Sequence, residues 1–336
     1  MKVAILAPIA WRTPPRKYGP WEQVASNIAE GLIDKGIDVT LFATGDSITE
    51  GKLEYTCEHP YAENSELDPK VWESLHISHL MEQADQFDLI HNNYDFLPLS
   101  YSRLISTPMV TTIHGFSSPK ILPVYKKYNK NSCYVSISNS DRSPELDYLA
   151  TVYNGIDTRL FNFRRNPEEY LLYFGRIHPE KGTYESIQIA KQAKRKLIIS
   201  GLIQDQKYFD NKVKPYINND DIIYVGNSGP DERNNLLGGA IALLHPISFE
   251  EPFGLSVVEA MFCGTPVIAY NKGSMQELIL HGKTGFLVKN IEEAVAAVKD
   301  TIHINRKDCL EWATSKFTIQ KMIHGYLKVY KEILSA

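Results

Sequence analysis

Two glutamates stand eight positions apart on either side of a loop-to-helix junction, an arrangement suited to binding a charged ligand. Glu251 lies in a polar loop after the apolar run Ala240–Leu244, whose length and composition predict a buried parallel strand. Glu259 lies inside a predicted helix over about residues 254–262. Three residues between the carboxylates would present backbone N–H groups at the helix N-terminus: Phe253, Gly254 and Leu255. Such a terminus binds phosphate, so the stretch predicts an anion site at the carboxyl edge of a sheet.

Each glutamate, taken singly, also has an ordinary structural interpretation. Glu251 would be a helix-start carboxylate that complements the helix dipole, and Glu259 would be a partly exposed helix position. The surrounding pattern is more specific, because Pro-Phe-Gly separates the pair and Ala-Met-x-x-Gly-Thr-Pro-Val follows it. We therefore interpret the two carboxylates as ligand-binding groups.

A second loop carries two cations. The segment Gly175–Gly182 directly follows the predicted strand Tyr170–Phe174 and opens a helix. Within it, Arg176 offers a planar fork of donors and Lys181 a point charge, a combination suited to a pyrophosphate. The alternative is a solvated basic loop. The flanking glycines and the position between strand and helix favour the phosphate-binding interpretation.

Strands that alternate with helices recur in both halves of the chain, which predicts parallel doubly wound domains. A length of 336 residues suits about two domains, each with its own core. The turn Asn154–Asp157 and the polar segment that follows it to Glu169 mark the junction. In the first half, the candidates for a site come after predicted strands: Trp11, Tyr18, Gly19, Asn93, His114 and Ser138.

Composition and charge exclude several classes of protein. The net charge of −4 argues against broad electrostatic capture of nucleic acid. No apolar run approaches the roughly 20 residues needed to span a bilayer, and Met1–Pro8 is interpreted as a first strand rather than a signal peptide. The four cysteines form no Cys-x-x-Cys pair, which fits a reduced cytoplasmic protein without a zinc site. His76 and His79 share a helical face without further metal-ligand spacing, and we predict that this face is solvated.

The segment Lys120–Lys130 interleaves four lysines with apolar and aromatic residues. One interpretation is contact with an anionic membrane surface or a lipid-linked acceptor, which would make the protein peripheral on the inner membrane face. The other is a charged solvent face above a buried apolar face, which is the more common arrangement for such a pattern.

Taken together, the two-glutamate stretch resembles the signature of the retaining family 4 glycosyltransferases. This resemblance implies the GT-B fold, an α/β architecture of two Rossmann-like doubly wound parallel-sheet domains facing each other across a cleft. The N-terminal, acceptor-side domain would comprise residues 1–156 and a C-terminal helix over 317–336. The nucleotide-sugar donor domain would comprise residues 157–316.

The resemblance also implies roles for individual residues. Glu251 would hold sugar hydroxyls near the reacting carbon, and Glu259 would accept hydrogen bonds from the ribose hydroxyls. Arg176 and Lys181 would hold the diphosphate, and His114 would lie beside the donor sugar. Gly19 matches the family's glycine-rich loop near the diphosphate. The next residue does not match, because Pro20 stands where the family usually has a second glycine.

The implied activity is transfer of a sugar with retention, in which the leaving diphosphate helps to deprotonate the incoming hydroxyl. A UDP-sugar is the expected donor and GDP-mannose the main alternative, and the acceptor would be a carbohydrate, a lipid-linked molecule or a small molecule. No Asp-x-Asp occurs in the sequence, so fixed cations rather than a metal ion are expected to neutralise the diphosphate, and no cofactor is expected. Acceptor contacts are assigned to Trp11, Tyr18, Asn93 and Ser138. Two other interpretations stay open: a different GT-B enzyme, such as a sugar-nucleotide epimerase or a phosphorylase, and a catalytically silent partner subunit.

Overall fold

The computed structural model describes residues 1–116 and 119–335. Its internal contacts divide the chain into two compact units, Met1–Gly155 with Ile319–Ala336 and Ile156–Thr318. The second unit thus comprises residues 156–318, whereas the predicted boundaries were 157 and 316. Each unit buries an apolar cluster of its own, as two independent cores require.

The first unit is a parallel sheet covered by helices. Its strands are β1 (Lys2–Leu6), β2 (Asp38–Phe42), β3 (Lys52–Glu54), β4 (Leu89–Asn92), β5 (Met109–Ile113), β6 (Cys133–Ser136) and β7 (Tyr148–Thr151). The helices between them are α1 (Pro20–Ile33), α2 (Pro69–Met81) and α3 (Leu122–Tyr128). The strands lie in the order β3-β2-β1-β4-β5-β6-β7. The chain therefore runs out to one side of β1 and then continues on the other side, which is the doubly wound topology that the sequence predicts.

Apolar runs fill the central strands of this unit because helices cover both faces of a parallel sheet. Only the first residue of β1 and of β2 is exposed, and the rest of each strand is buried. Pro20 opens α1 at its first helical position, where the missing N–H costs no hydrogen bond. Because β1, β4, β5 and β6 are parallel neighbours in the sheet, their carboxyl ends lie together at one edge.

The second unit repeats the architecture. Its strands are β8 (Tyr170–Phe174), β9 (Lys196–Ser200), β10 (Ile222–Tyr224), β11 (Ala242–His245), β12 (Val267–Tyr270) and β13 (Gly285–Val288). Its helices are α4 (Thr183–Ala193), α5 (Gln206–Tyr208), α6 (Pro230–Gly239), α7 (Leu255–Phe262), α8 (Met275–Leu278), α9 (Ile291–Asp300) and α10 (Arg306–Lys316). The strand order is β10-β9-β8-β11-β12-β13, again parallel. The order reverses between β8 and β11.

A buried arginine ties the amino edge of the second sheet together. Arg306, the first residue of α10, is only 8% exposed. Its guanidinium donates to three main-chain oxygens in two separate segments: Arg164 at 2.7 Å in one, and Gly238 at 2.7 Å and Ala240 at 2.9 Å in the other. A buried cation is tolerated when its donors are satisfied in this way. The interaction fixes the start of α10 to the segments that precede β8 and β11.

The last helix, α11 (Ile319–Ser335), packs on the first unit through a buried polar network. The His91 ring lies between two partners, with Nδ1 2.6 Å from Tyr330 Oη and Nε2 2.7 Å from Thr112 Oγ1. Tyr326 Oη lies 2.9 Å from the same Thr112 hydroxyl. All four side chains are buried, so each polar group depends on the others for its hydrogen bonds.

The prediction of a solvated face on α2 is wrong for His76. This side chain is fully buried, and its Nε2 lies 2.9 Å from the carbonyl oxygen of Ala7 at the end of β1. His79 is half-buried and lies 3.0 Å from Glu54. The apolar pattern of α2 is weak in the sequence, and the helix packs its histidine face towards the sheet.

We expect the first unit to lose stability on acidification because its buried histidines are held neutral. Burial lowers the pKa of His76 to about 4 and that of His91 to about 3. An unfolded imidazole has a pKa of about 6.5, so below that pH the unfolded state binds more protons. The unfolding free energy then falls by up to about 1.4 kcal/mol per pH unit for each histidine, until the folded pKa is reached.

His91→Gln should reduce the pH dependence of the unfolding free energy by the contribution of one histidine. It should also lower stability at neutral pH, because the contact with Tyr330 is lost. The measurement is chemical denaturation followed by tryptophan fluorescence between about pH 7.5 and about pH 4.5. His324→Gln, an exposed change on α11, is the matched control. Equal slopes for wild type and His91→Gln would contradict the assignment.

Candidate active site

The charged candidates of the second unit follow two neighbouring strands, β8 and β11. Arg176 and Lys181 come after β8, and Glu251 comes after β11. The strand order reverses between these two strands, and open parallel sheets bind ligands in the crevice at such a point. The sequence-predicted groups therefore lie at the edge where chemistry is expected.

Lys181 and Glu251 form an ion pair at this edge. The distance from Lys181 Nζ to Glu251 Oε2 is 2.5 Å, and each side chain is 14% exposed. The ammonium also lies 4.7 Å from the centre of the Phe249 ring, a favourable cation–π distance. Partial burial makes this pair stronger than a surface ion pair, and it fixes both charges in the crevice.

Two glycines permit the loops to approach closely enough for this pairing. Gly182 has φ +73°, and a Cβ there would lie 2.1 Å from the carbonyl oxygen of Pro246. Gly273 has φ +54°, and a Cβ there would lie 2.4 Å from both the N and the O of Glu251. Any other residue would collide with the backbone as well as adopt a strained conformation. The sequence analysis did not predict the role of Gly273.

The helix α7 starts between the two carboxylates. Gly254 precedes α7 with φ +88°, and no side chain among the described residues caps this helix. Leu255 is its first helical residue, so its N–H lies among the unsatisfied donors of the first turn. Phe253 is buried, and its carbonyl oxygen accepts a hydrogen bond from Ser274 Oγ at 2.6 Å, which holds the approach to the helix. The structure therefore contains the uncapped helix start that the predicted anion site requires, and anion binding there stays a prediction.

Glu259 is buried inside α7 and pairs with an arginine that the sequence analysis missed. Arg233 Nη1 lies 3.2 Å from Glu259 Oε1, with side-chain exposures of 16% and 7%. The guanidinium also lies 5.7 Å from the centre of the Phe161 ring. Its Nε is buried and has no hydrogen-bond partner within the described part of the chain. An arginine with a spare buried donor beside a carboxylate is suited to a polar ligand.

His245 is a further residue of this edge that sequence reasoning did not select. It ends β11 and is 7% exposed, and burial lowers its pKa to about 4 despite the nearby Glu251. The imidazole is therefore neutral at physiological pH. The sequence does carry a signal for this residue: His245 is a polar residue at the end of an apolar strand, directly before Pro246.

Arg176 is held by a neighbouring loop rather than by a carboxylate. Its Nη1 donates to Gln204 Oε1 at 2.5 Å. The two loops adjoin because a Cβ at Gly201 would lie 1.7 Å from the carbonyl oxygen of Gly175, which only glycine avoids. No carboxylate in the described part of the chain forms an ion pair with this guanidinium, which lies near the end of β8.

In the first unit, the predicted residues follow strands that are neighbours in the sheet. They are Trp11, Tyr18 and Gly19 after β1, Asn93 after β4, His114 after β5 and Ser138 after β6. The edge of Trp11 packs against Tyr18 with ring centroids 5.9 Å apart. Ser138 is buried, and its Oγ accepts a hydrogen bond from the N–H of Asp141 at 3.1 Å. Ser138 therefore has a role within its own turn.

His114 and Asn93 form the polar centre of this edge. His114 Nε2 lies 3.0 Å from Asn93 Oδ1, and the imidazole stacks on Trp21 at 5.8 Å between centroids. Burial lowers the pKa of His114 to about 3, so the ring is neutral and Nε2 donates to the amide oxygen. Asn93 Nδ2 is buried without a partner among the described residues, which leaves an amide nitrogen with two N–H groups available as a donor to a ligand.

A buried glutamate beside Gly19 also escaped the sequence analysis. Glu22, in the first turn of α1, is 3% exposed and accepts a hydrogen bond from the N–H of Trp11 at 3.2 Å. Burial raises its pKa to about 7. Gly19 has φ +150°, and a Cβ there would lie 3.1 Å from Glu22 Oε2. The carboxyl thus anchors the loop that carries the aromatic candidates.

The lysine-rich segment 120–130 presents charge outwards and aromatic groups inwards. Tyr125 and Tyr128 of α3 are buried, whereas Lys126 pairs with Glu145 and Lys130 Nζ lies 2.9 Å from Asp147. This is the charged face above a buried face that the sequence analysis favoured.

None of the described helices combines the length and hydropathy that crossing a membrane requires. Across residues 1–116 and 119–335, no three His, Cys, Asp or Glu side chains group closely enough to hold a metal ion.

Comparison with known proteins identifies two sequence families. The model of "Glycosyl transferases group 1" matches residues 157–315, and that of "Glycosyltransferase Family 4" matches residues 21–160. An uncharacterized glycosyltransferase of Methanocaldococcus jannaschii is 25% identical, over 86% of this chain and 85% of the relative. Glycogen synthase of Mycobacterium tuberculosis is 24% identical, over 88% and 85%. HepE of Anabaena, crystallised with UDP-glucose, has a TM-score of 0.73 at 20% identity, over 99% and 100% of the chains. The predicted GT-B fold is confirmed.

Gly273→Ala should be far more destabilising than Gly282→Ala. Both glycines have positive φ, +54° and +76°, so an alanine strains the backbone by about 1–2 kcal/mol in each case. At Gly282 a Cβ would meet nothing within 4 Å, whereas at Gly273 it would overlap the backbone of Glu251. Denaturation should show a further loss of at least about 1–3 kcal/mol for Gly273→Ala alone. Equal losses in the two variants would show that the contact with Glu251 does not constrain the loop.

Proposed function

Because the chain belongs to the family 4 glycosyltransferases, we propose that it transfers a sugar from a UDP-sugar to an acceptor hydroxyl, with retention and without a metal ion. Glycosyltransferase activity is the premise that family membership supplies. The donor, the stereochemistry and the independence of metal are the proposal. The observation that carries it is the half-buried Lys181–Glu251 pair at the point where the strand order of the second unit reverses.

The diphosphate of the donor is assigned to the cations and amides of this edge. Arg176, Lys181 and the first amides of α7 offer positive charge along one side of the crevice. Charge develops on the diphosphate as the glycosidic bond breaks, so fixed cations lower the barrier more than they strengthen ground-state binding. This arrangement supports neutralisation of the leaving group without a divalent ion.

Glu251 is assigned to the sugar near the reacting carbon. Its ion pair with Lys181 requires an ionised carboxylate, which accepts hydrogen bonds from sugar hydroxyls and opposes positive charge at the carbon. Lys181, which is assigned to the diphosphate, makes this contact with the same carboxylate. One lysine would thereby couple the sugar site to the leaving group.

Glu259 is assigned to the ribose. Its contact with Arg233 occupies one oxygen, and an ionised carboxylate has further acceptor capacity for two neighbouring hydroxyls. Arg233 supplies the counterion for this buried carboxylate, which would otherwise be a buried group without a partner charge. Glu259 thus binds the donor at a distance from the bond that breaks.

The acceptor is assigned to the carboxyl edge of the first unit. Neutral His114, the spare donor of Asn93 and the aromatic pair Trp11–Tyr18 are suited to an uncharged, hydroxyl-rich molecule. No base on the enzyme is assigned to the incoming hydroxyl, whose proton passes to the leaving diphosphate oxygen on the same face. That same-face exchange preserves the configuration at the transferred carbon.

The direct test is turnover with UDP-, GDP- and ADP-sugars in the presence of EDTA. We expect a UDP-sugar to be consumed, to stabilise the protein by about 2.7 kcal/mol at 100 times its Kd, and to give an α-linked product from an α-linked donor. The anomeric proton coupling in the NMR spectrum reports the configuration. Inversion, dependence on added magnesium, or exclusive use of GDP-mannose would each contradict the corresponding part of the proposal. Conversion of the donor without any acceptor would instead indicate an epimerase.

The two glutamates should show different kinetic defects. Glu251→Gln removes charge that acts mainly in the transition state, so kcat should fall at least about tenfold with a smaller change in KM. Glu259→Gln weakens ribose binding in ground and transition states alike, so KM for the donor should rise more than kcat falls. The exposed Glu292→Gln in the same unit is the matched control. Wild-type kcat in Glu251→Gln at saturating donor and acceptor would refute the central assignment.

A further inference from the structure

A cavity of about 830 Å³ opens at the other edge of the second sheet. Glu169, Ile241 and Pro266 line it and directly precede β8, β11 and β12, respectively. The candidate active site instead follows the carboxyl ends of β8 and β11. Strands of four or five residues separate the two edges by roughly 15 Å, so the cavity is a separate site.

The cavity has the size and the mixed lining of a small-molecule site. Its volume lies within the range of known ligand pockets, which is about 300–1,000 Å³. Apolar residues contribute to the wall: Phe163, Ile241, Val298, Ile302 and Ile304. Of these, Ile302 is 83% exposed. A ligand with an uncharged or apolar body would cover it.

Positive charge predominates in the lining. The basic residues are Arg165, Arg195, Lys299, Arg306 and Lys307, against the acidic Glu168 and Glu169. Lys307 pairs with Glu311 at 3.4 Å, and Glu168 pairs with Arg164 at 2.8 Å, so those two lining charges are compensated from outside the cavity. Within residues 119–335, no ion pair joins Arg165, Arg195 or Lys299 to a carboxylate. The excess positive charge is therefore available to a ligand.

Arg306 adds a charge that folding has not neutralised. Its donors are satisfied by main-chain oxygens and by Thr265 Oγ1 at 2.7 Å, and no carboxylate in the described part of the unit pairs with it. Main-chain oxygens satisfy hydrogen bonds but leave the net charge in place. A buried cation of this kind raises the potential of the adjoining cavity, where water screens it less than at an open surface.

We infer that this cavity binds the phosphate group of a ligand that also carries an uncharged or apolar body. Arginine forks at Arg165 and Arg195 match the geometry of phosphate oxygens, and Lys299 adds a third cation. The same chemistry is offered by a soluble phosphate ester and by the headgroup of an anionic lipid. The experiment below separates these two sources.

The test compares the wild type with Arg165→Ala/Arg195→Ala, which removes two exposed cations of the cavity. Lys283→Ala/Lys289→Ala removes two exposed cations of the same unit outside the cavity and is the matched control. Glucose 6-phosphate and inorganic phosphate are titrated by calorimetry at constant ionic strength, with and without excess UDP. UDP occupies the proposed donor site, so any phosphate binding there is removed. Sedimentation with phosphatidylglycerol vesicles and with neutral phosphatidylcholine vesicles tests the lipid source.

We expect the Kd of a phosphate probe to rise at least about tenfold in the cavity variant and to stay unchanged in the control, a loss of about 1.4 kcal/mol. Retention of glucose 6-phosphate binding with excess UDP would identify a soluble ester as the ligand. Loss of phosphatidylglycerol binding in the cavity variant alone would identify a lipid headgroup. If no probe binds, or if the cavity variant and the control bind equally well, the inference is wrong. The comparison of the cavity variant with the control does not depend on turnover.

Discussion

Close backbone contact at glycines is the constraint on which the candidate donor site depends. Lys181 and Glu251 belong to loops that follow different strands, and their charges meet only because Gly182 packs on Pro246 and Gly273 packs on Glu251. Neither contact involves a side chain that could adjust. The position of the carboxylate is therefore set by main-chain geometry, which is more rigid than a hydrogen bond between flexible groups. Such rigidity is what transition-state stabilisation by fixed charges requires.

The candidate sites of the two units differ in the charge of their buried side chains. The second unit keeps ionised pairs there, Lys181–Glu251 and Arg233–Glu259, each half-buried or buried. The first unit instead suppresses charge. Burial lowers the pKa of His114 to about 3 and raises that of Glu22 to about 7, and both shifts favour the neutral form. A charged edge is suited to a nucleotide diphosphate, and a neutral edge is suited to sugar hydroxyls.

Sequence reasoning predicted what local pattern encodes and missed what tertiary contact decides. The central strands of both sheets and the helix start at Gly254 follow from apolar runs and turn residues, and they were predicted, whereas the two outermost strands of the first sheet, β3 and β7, were not. Arg233 was missed because α6 has almost no apolar periodicity, so neither the helix nor its partner on α7 could be inferred. Glu22 was missed because its burial depends on a loop that folds back over α1. His76 was misjudged for the same kind of reason, since a single histidine carries no signal of the face it occupies.

The cations near the amino edge of the second sheet are of two kinds: one makes contacts that stabilise the fold, and the others make no ion pair. Arg306 ties the start of α10 to two other segments through their main-chain oxygens, so its position is explained by the fold. Arg165, Arg195 and Lys299 make no ion pair among the described residues, and an exposed unpaired cation adds almost nothing to stability. Ion pairs that stabilise the fold therefore do not account for their arrangement around one cavity. Repulsion between neighbouring cations would disfavour the cluster unless an anion compensates it. The amino edge of the sheet thus carries a charge pattern that a bound phosphate explains and that the folded chain alone does not require.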